Sequence, residues 1–180
     1  GHDVLGGAQT GTGKTAAFGL PLLNRLGKAT PVNGPRKPRA LILVPTRELA
    51  VQVSDDLAHA ASLTPVRVTT IYGGRPYEEQ LAALEQGVDV VVGTPGRLID
   101  LWRRGDLNLS AVAILVLDEA DEMLDMGFLP DIETLWAAVR DDVQAMLFSA
   151  TMPGQILSLA RAKMHTPVHI RAEAADAPST

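Results

Sequence analysis

Residues 8–15 read "AQTGTGKT" and follow a short apolar run, "DVLGG". Glycines and small residues let backbone N–H groups converge on phosphate oxygens, and a helix starting just after them offers its positive end to the same anion. Gly11, Gly13, Lys14 and Thr15 fit the general phosphate-loop pattern of Gly, four residues, Gly-Lys-Ser/Thr, except that Ala8 stands where the first glycine usually is. Lys14 is placed to reach the β- and γ-phosphates and the Thr15 hydroxyl to ligate Mg²⁺, with Ala8, Gln9, Thr10 and Thr12 completing the cradle. The competing reading is a glycine-rich turn capping an amphipathic helix, with Lys14 merely solvated. Strand, loop and helix in this order favour a nucleoside triphosphate site. A dinucleotide fingerprint is excluded, because no third glycine follows and Lys-Thr does.

Such a site needs a carboxylate at the end of a neighbouring strand to hold Mg²⁺, and a group to orient water. The segment "AILVLDEAD" (113–121) supplies both, with Asp118 placed to bind the metal, through water, and Glu119 to polarise the attacking water. Lys14, Asp118 and Glu119 are thus the expected catalytic set, and Thr15 and Asp118 the Mg²⁺ ligands. Acidic residues after a strand are also ordinary helix starters. The tetrapeptide alone leaves both readings open; its pairing with the phosphate loop decides for the metal. Ser149-Ala150-Thr151 follows another apolar run, and its hydroxyls could cap a helix starting near Pro153.

The elements that must position these residues alternate. Short β-branched runs at 39–45, 66–72, 88–94, 112–120 and 144–151 are continuous rather than alternating, as buried parallel strands are. Helical patterns lie between them at 14–26, 47–63, 77–85, 96–104, 129–139 and 153–164. The alternation predicts an open α/β domain, a mostly parallel sheet with helices on both faces. Residues 27–39, rich in Pro, Gly and basic side chains, read as a surface connection, and 171–180 as a linker or the cut end of one.

With 180 residues and 46% hydrophobic side chains, the chain has material for one well-buried domain, here residues 1–170. No apolar run approaches a membrane span, and neither a secretory leader nor a cysteine is present, which points to the cytoplasm. The net charge is −5, so any nucleic-acid surface must be local or completed elsewhere. His165 and His169 are four apart, but Pro167 interrupts them and no further ligand type joins, so they read as solvated or packing side chains.

Six segments in order, "AQTGTGKT", "PTRELA" (45–50), "GG" (73–74), "TPGR" (94–97), "DEAD" (118–121) and "SAT" (149–151), resemble the DEAD-box ATP-dependent RNA helicases. The resemblance runs from residue 1 to about 170 and is to the first of two RecA-like lobes. Ala8, odd by the general pattern, is normal in that family. The resemblance implies a P-loop fold, ATP and Mg²⁺ as cofactors, RNA as partner, and a second lobe of the same protein. The family's adenine-recognising segment and its second lobe are not in this sequence, so the chain by itself is expected to show little or no ATPase.

Pro45, Thr46 and Arg47 sit where a strand turns into a helix; Thr46 can cap that helix, whereas Arg47 is an unfavourable cation at a helix start. Thr94, Pro95, Gly96 and Arg97 repeat the arrangement, and Gly73 and Gly74 allow close backbone approach. Each could be only a turn. The resemblance implies that together they grip the RNA backbone, and that Ser149 and Thr151 bond Asp121 to couple ATP state to RNA grip. The scarce aromatics (4%) mostly sit in apolar patterns, so recognition should fall on phosphate and sugar, with little sequence preference. The same motifs would serve an ATP-gated RNA clamp with slow hydrolysis. A small-molecule kinase is disfavoured because it leaves "PTRELA" and "TPGR" unexplained.

Overall fold

The computed structural model describes residues 2–7, 14–27 and 36–171. In chain order its elements are β1 (Val4–Gly7), α1 (Lys14–Gly27), β2 (Ala40–Leu43), α2 (Arg47–Ala60), β3 (Val68–Ile71), α3 (Tyr77–Gln86) and β4 (Val90–Gly93). These are followed by α4 (Pro95–Arg103), β5 (Ile114–Leu117), α5 (Ala120–Asp125), α6 (Leu129–Ala138), β6 (Gln144–Ser149), α7 (Gly154–Lys163) and β7 (Val168–Arg171). The strands form one sheet in the order β3-β4-β2-β5-β6-β1-β7, and every pairing is parallel.

Strict side-chain alternation explains why the strand segments are apolar throughout. Leu41, Leu43, Val91, Leu115, Leu117 and Leu147 face one side of the sheet, where residues of α4–α7 cover them. Ala40, Ile42, Val90, Val92, Ile114, Val116, Met146 and Phe148 face the other, under Phe18, Leu22 and Leu26 of α1 and Val53 and Leu57 of α2. Both faces are thus sealed, each fully buried Leu or Ile contributing about 1.5–3 kcal/mol. A sheet closed on both faces leaves only its ends for chemistry.

At the amino end of the strands, two buried carboxylates are committed to structure. Asp89 accepts from the Arg36 and Arg39 guanidinium groups at 2.9 and 3.0 Å and from the Arg67 N–H at 2.9 Å. Asp3 accepts from the Ala145 and His165 N–H groups at 2.8 and 2.6 Å, tying β1 to β6 and to the segment entering β7. Buried charges survive only when paired and hydrogen-bonded in this way.

Two elements were not expected. α5 is six residues long, too short for helical periodicity to register. β7 is an edge strand on which Val168 and Ile170 stay half exposed, so it lacks the signature of a buried strand. Its end at Arg171 also takes one residue from the stretch read as a linker; 172–180 lie outside the described residues, as do 28–35 of the basic connection. α2 stops at Ala60, not Leu63, and Leu63 is 98% exposed.

Gly93 is where the sheet constrains the sequence most tightly. A Cβ there would lie 2.5 Å from the Ile71 carbonyl oxygen and 2.9 Å from Leu98 side-chain atoms. Gly93→Ala should therefore push β3 off β4 and cost at least the roughly 1–3 kcal/mol typical of overpacking, read as a lower midpoint in chemical denaturation. An unchanged midpoint would show that the β3 edge gives way freely.

Candidate functional site

Because every strand runs the same way, all carboxyl ends lie along one edge, where open α/β sheets bind ligands. Every expected site segment that the structure describes falls on this edge. β1 ends at Gly7 beside Ser149 of β6, and Leu147 of β6 is level with Leu117 of β5. The start of the phosphate loop and Asp118 are thus two strands apart, about 10 Å by strand spacing, with the small, buried Ser149 between them. Ala8, Gln9, Thr10, Gly11, Thr12 and Gly13 lie outside the described residues. Lys14 opens α1, and Thr15 follows in its first turn, partly buried.

Asp118 is 1% exposed, and its N–H donates to the Leu43 carbonyl at 2.9 Å. Glu119 sits at φ 53°, ψ 52°. A left-handed backbone is uncommon for a non-glycine residue and costs of order 1–3 kcal/mol, the kind of strain found at functional sites. It turns the chain sharply from β5 into α5, and the Glu119 carbonyl accepts the Met123 N–H at 3.1 Å. Asp118 stays buried at the strand end, while Asp121 and Glu122 fill the first turn of α5, where acidic residues are ordinary helix starters. Glu122 was not anticipated, although its spacing of three from Glu119 is a readable signal. A hydrogen bond with Glu119, burial, and repulsion from Glu119, Asp121 and Asp125 hold its carboxyl above the usual range.

Asp118 and Thr15 offer hard oxygen donors, and no cluster of three or more His, Cys, Asp or Glu that could hold a metal exists among the described residues. That donor set suits Mg²⁺, which keeps waters and substrate phosphates among its ligands. His165 and His169 are exposed, with His169 on a strand.

Asp121, Ser149 and Thr151 come together. The Thr151 hydroxyl and N–H donate to Asp121 Oδ2 at 2.9 and 3.1 Å. The Asp121 N–H donates to Ser149 Oγ at 3.1 Å, and Ser149 Oγ donates to the Thr151 carbonyl at 2.6 Å. The cap of α7 is instead Pro153, with no side-chain hydrogen bond, so the hydroxyls are not helix caps. Burial opposes ionisation of Asp121, but bonds from Thr151, Ser149 and the Glu122 N–H outweigh it and hold the carboxyl below its ordinary value.

The other three turns lie on β2, β3 and β4, which are contiguous. Thr46 caps α2, its hydroxyl accepting the Leu49 N–H at 3.2 Å, while Arg47 is exposed. Arg47 lies 5.7 Å from the Tyr72 ring centroid, and Arg75 lies 5.4 Å from it, within cation–π range. Gly73 and Gly74 are exposed, and Gly74 takes φ 85°, a conformation glycine adopts without penalty. Thr94 and Pro95 start α4, but the Thr94 side chain makes no capping bond. Gly96 is exposed, and Arg97 is half buried against Tyr77. Sequence reading placed Arg47 and Arg97 as charges but missed the tyrosines beneath them.

A family profile described as DEAD/DEAH box helicase matches residues 1–159. This chain belongs to the DEAD/DEAH box helicase family. It is 52% identical to the ATP-dependent RNA helicase DeaD of Klebsiella pneumoniae over 95% of this chain and 26% of that protein. With the DeaD helicase of Mycobacterium tuberculosis it shares 50% identity over 97% of this chain and 30% of the relative. The chain thus spans about a quarter to a third of these curated relatives. Among solved structures, a DEAD box protein from Methanococcus jannaschii superposes with a TM-score of 0.86 at 42% identity, covering 96% of this chain and 46% of that one. The yeast DEAD-box splicing factor Prp28 gives 0.89 at 36% identity, covering 94% and 41%. The expected fold is therefore the observed one.

Asp121 has a lower pKa folded than unfolded, so its stabilisation is present above the unfolded-state pKa and is lost as pH falls through the folded value. Thr151→Val removes the hydroxyl donor. It should move the Asp121 titration upward, toward its unfolded value, and shrink the stability lost on acidification, as followed by carboxyl NMR and by denaturation at neutral and acid pH. A titration that does not move would mean the hydroxyl does not act on the carboxylate.

Proposed function

We propose that the chain is the nucleotide-binding lobe of a cytoplasmic ATP-dependent RNA helicase, in which RNA-stimulated ATP hydrolysis drives opening of short duplexes or remodelling of RNA–protein complexes. Residues 1–170 form this lobe, and 171–180 lead toward a second lobe of the same protein. The carrying observation is the division of one sheet edge: the acidic turn, the hydroxyl turn and the start of the phosphate loop on β5, β6 and β1, and the two arginine turns and the diglycine on β2, β4 and β3. Family membership supports the reading, as do relatives named ATP-dependent RNA helicase.

Bound ATP with Mg²⁺ would supply the phosphoryl electrophile and its partial charge neutralisation. Ala8–Thr15 would hold the phosphates, Lys14 as a fixed positive charge, and Thr15 and Asp118 would hold the metal. Glu119 would orient the attacking water and draw on its proton. The hydrogen bond with Glu119, together with burial, raises the Glu122 carboxyl above its ordinary value. The Asp121–Ser149–Thr151 bonds would tie the acidic turn to β6 and carry nucleotide state toward the RNA side. Arg47, Arg97, the exposed Gly73–Gly74 backbone and the helix starts at Pro45–Thr46 and Thr94–Gly96 would face RNA phosphates. Phe18, Phe148 and Trp136 are buried and so are no platform for bases, which favours backbone reading over sequence reading.

In the full-length protein, Lys14→Ala should abolish ATP use. Glu119→Gln should keep ATP affinity while turnover falls by about 10²-fold or more. Near-normal turnover in Glu119→Gln would remove Glu119 from the chemistry. Arg47→Ala should weaken RNA binding equally for unrelated sequences and make the salt dependence shallower by about one counterion. Altered base preference would contradict phosphate reading. Tight ATP-dependent RNA binding without strand separation would make the protein a clamp.

A further inference from the structure

Gln80 is the most buried polar side chain near the arginine turns, 2% exposed on α3, and it belongs to none of the six motif segments. Its amide bridges two of them. Nε2 donates to the Tyr72 carbonyl at 3.0 Å, just before Gly73–Gly74, and Oε1 accepts from Arg97 Nη1 at 3.3 Å. The same Nη1 also donates to the Arg75 carbonyl at 3.0 Å. Beneath it, the Arg97 guanidinium carbon lies 4.1 Å from the Tyr77 ring centroid, and the Tyr77 hydroxyl is anchored by Asp100 on α4. Arg104 lies 4.5 Å from the same ring and also pairs with Asp106.

A guanidinium carries five N–H donors in a planar fork. Here both hydrogens of Nη1 are directed to acceptors on the protein, while Nε and Nη2 donate to no described residue. The side left open is the Nε–Nη2 edge, which can grip a phosphate with two parallel bonds. A freely rotating arginine would lose side-chain entropy on making that contact; one held on three sides has already lost it.

Building on the RNA reading above, we propose that Gln80 and Tyr77 are positioning residues that lock Arg97 with its Nε–Nη2 edge turned toward one backbone phosphate of the RNA. Gln80's bond to the Tyr72 carbonyl and Arg97's bond to the Arg75 carbonyl fix that edge relative to the diglycine turn, so that the two turns present adjacent phosphate contacts in one register. The competing account is that Gln80 only satisfies buried polar groups and packs α3 against β3.

A double-mutant cycle in the full-length protein separates the two accounts, with short single-stranded uridine RNA as the probe and a non-hydrolysable ATP analogue present. Arg97→Ala should weaken RNA binding about 10-fold or more, and Gln80→Leu about 3–10-fold, the range of one ordinary hydrogen bond. The double variant should bind within about twofold of Arg97→Ala alone, and the RNA-free affinity of Gln80→Leu for the ATP analogue should match the parent. If Gln80→Leu does not fold, Tyr77→Leu at a half-exposed position carries the same cycle. Losses that multiply, or RNA affinity unmoved by the Gln80 or Tyr77 change while Arg97→Ala weakens it, would overturn the positioning role alone. RNA affinity unmoved by Arg97→Ala would overturn the phosphate-reading strip and the proposal with it.

Discussion

The arrangement depends on a run of backbone hydrogen bonds that continues past the ends of the strands. The Asp118 N–H reaches the Leu43 carbonyl at 2.9 Å, the Val44 N–H reaches Gly93 at 3.0 Å, and the Thr94 N–H reaches Ile71 at 3.0 Å. Each bond crosses from one strand to the next, so the chain leaves β5, β2, β4 and β3 at fixed relative positions. Side chains that must meet a ligand within tenths of an ångström need such a base, because loops alone do not hold them. The absence of a Cβ at Gly93 is what lets the β4 and β3 members of this series approach.

That edge carries both signs of charge, with Glu79 and Asp106 paired among the arginines. Asp118, Glu119, Asp121 and Glu122 crowd the half formed by β5 and β6; repulsion there helps raise the Glu122 carboxyl, while the Thr151 hydroxyl and N–H and the Glu122 N–H donate to Asp121. Arg47, Arg75, Arg97 and Arg104 crowd the other half, and two tyrosine faces hold them. Arg75 and Arg104 also pair with Glu79 and Asp106, so the local cationic character of this half, in a chain of net charge −5, rests on Arg47 and Arg97. A polyanion would be attracted over a short range only, since screening removes the wider field within about 10 Å.

Much of this was legible in the sequence because the chemistry sits where strands end. A continuous apolar run followed by Lys-Thr, Asp-Glu or Ser-x-Thr marks both a strand and the place of a candidate residue, so the fold and the candidate site were read from the same stretches. The bonding of Ser149 and Thr151 to Asp121, implied only by resemblance, is present in the structure, whereas capping by those hydroxyls is not. What escaped depends on tertiary contact. Gln80 is an ordinary helix residue until it meets Arg97, seventeen positions on. Tyr72 and Tyr77 look like core aromatics until arginines from other turns lie over them. α5 and β7 are too short for periodicity to reveal, and β7 is held in the sheet by β1 and by Asp3.

The central claim is that one edge of the sheet does all the binding while the opposite edge is structural. Amide chemical-shift mapping on the isotope-labelled protein, titrated with ATP–Mg²⁺ and then with single-stranded RNA, tests it directly. The nucleotide should perturb residues 6–15, 118–122 and 149–152, and RNA should perturb 45–49, 72–75 and 94–97. Amides around Asp89, Arg39, Asp3 and His165 should stay where they are. Perturbations centred on that amino edge, or RNA shifts confined to the acidic half, would contradict the account.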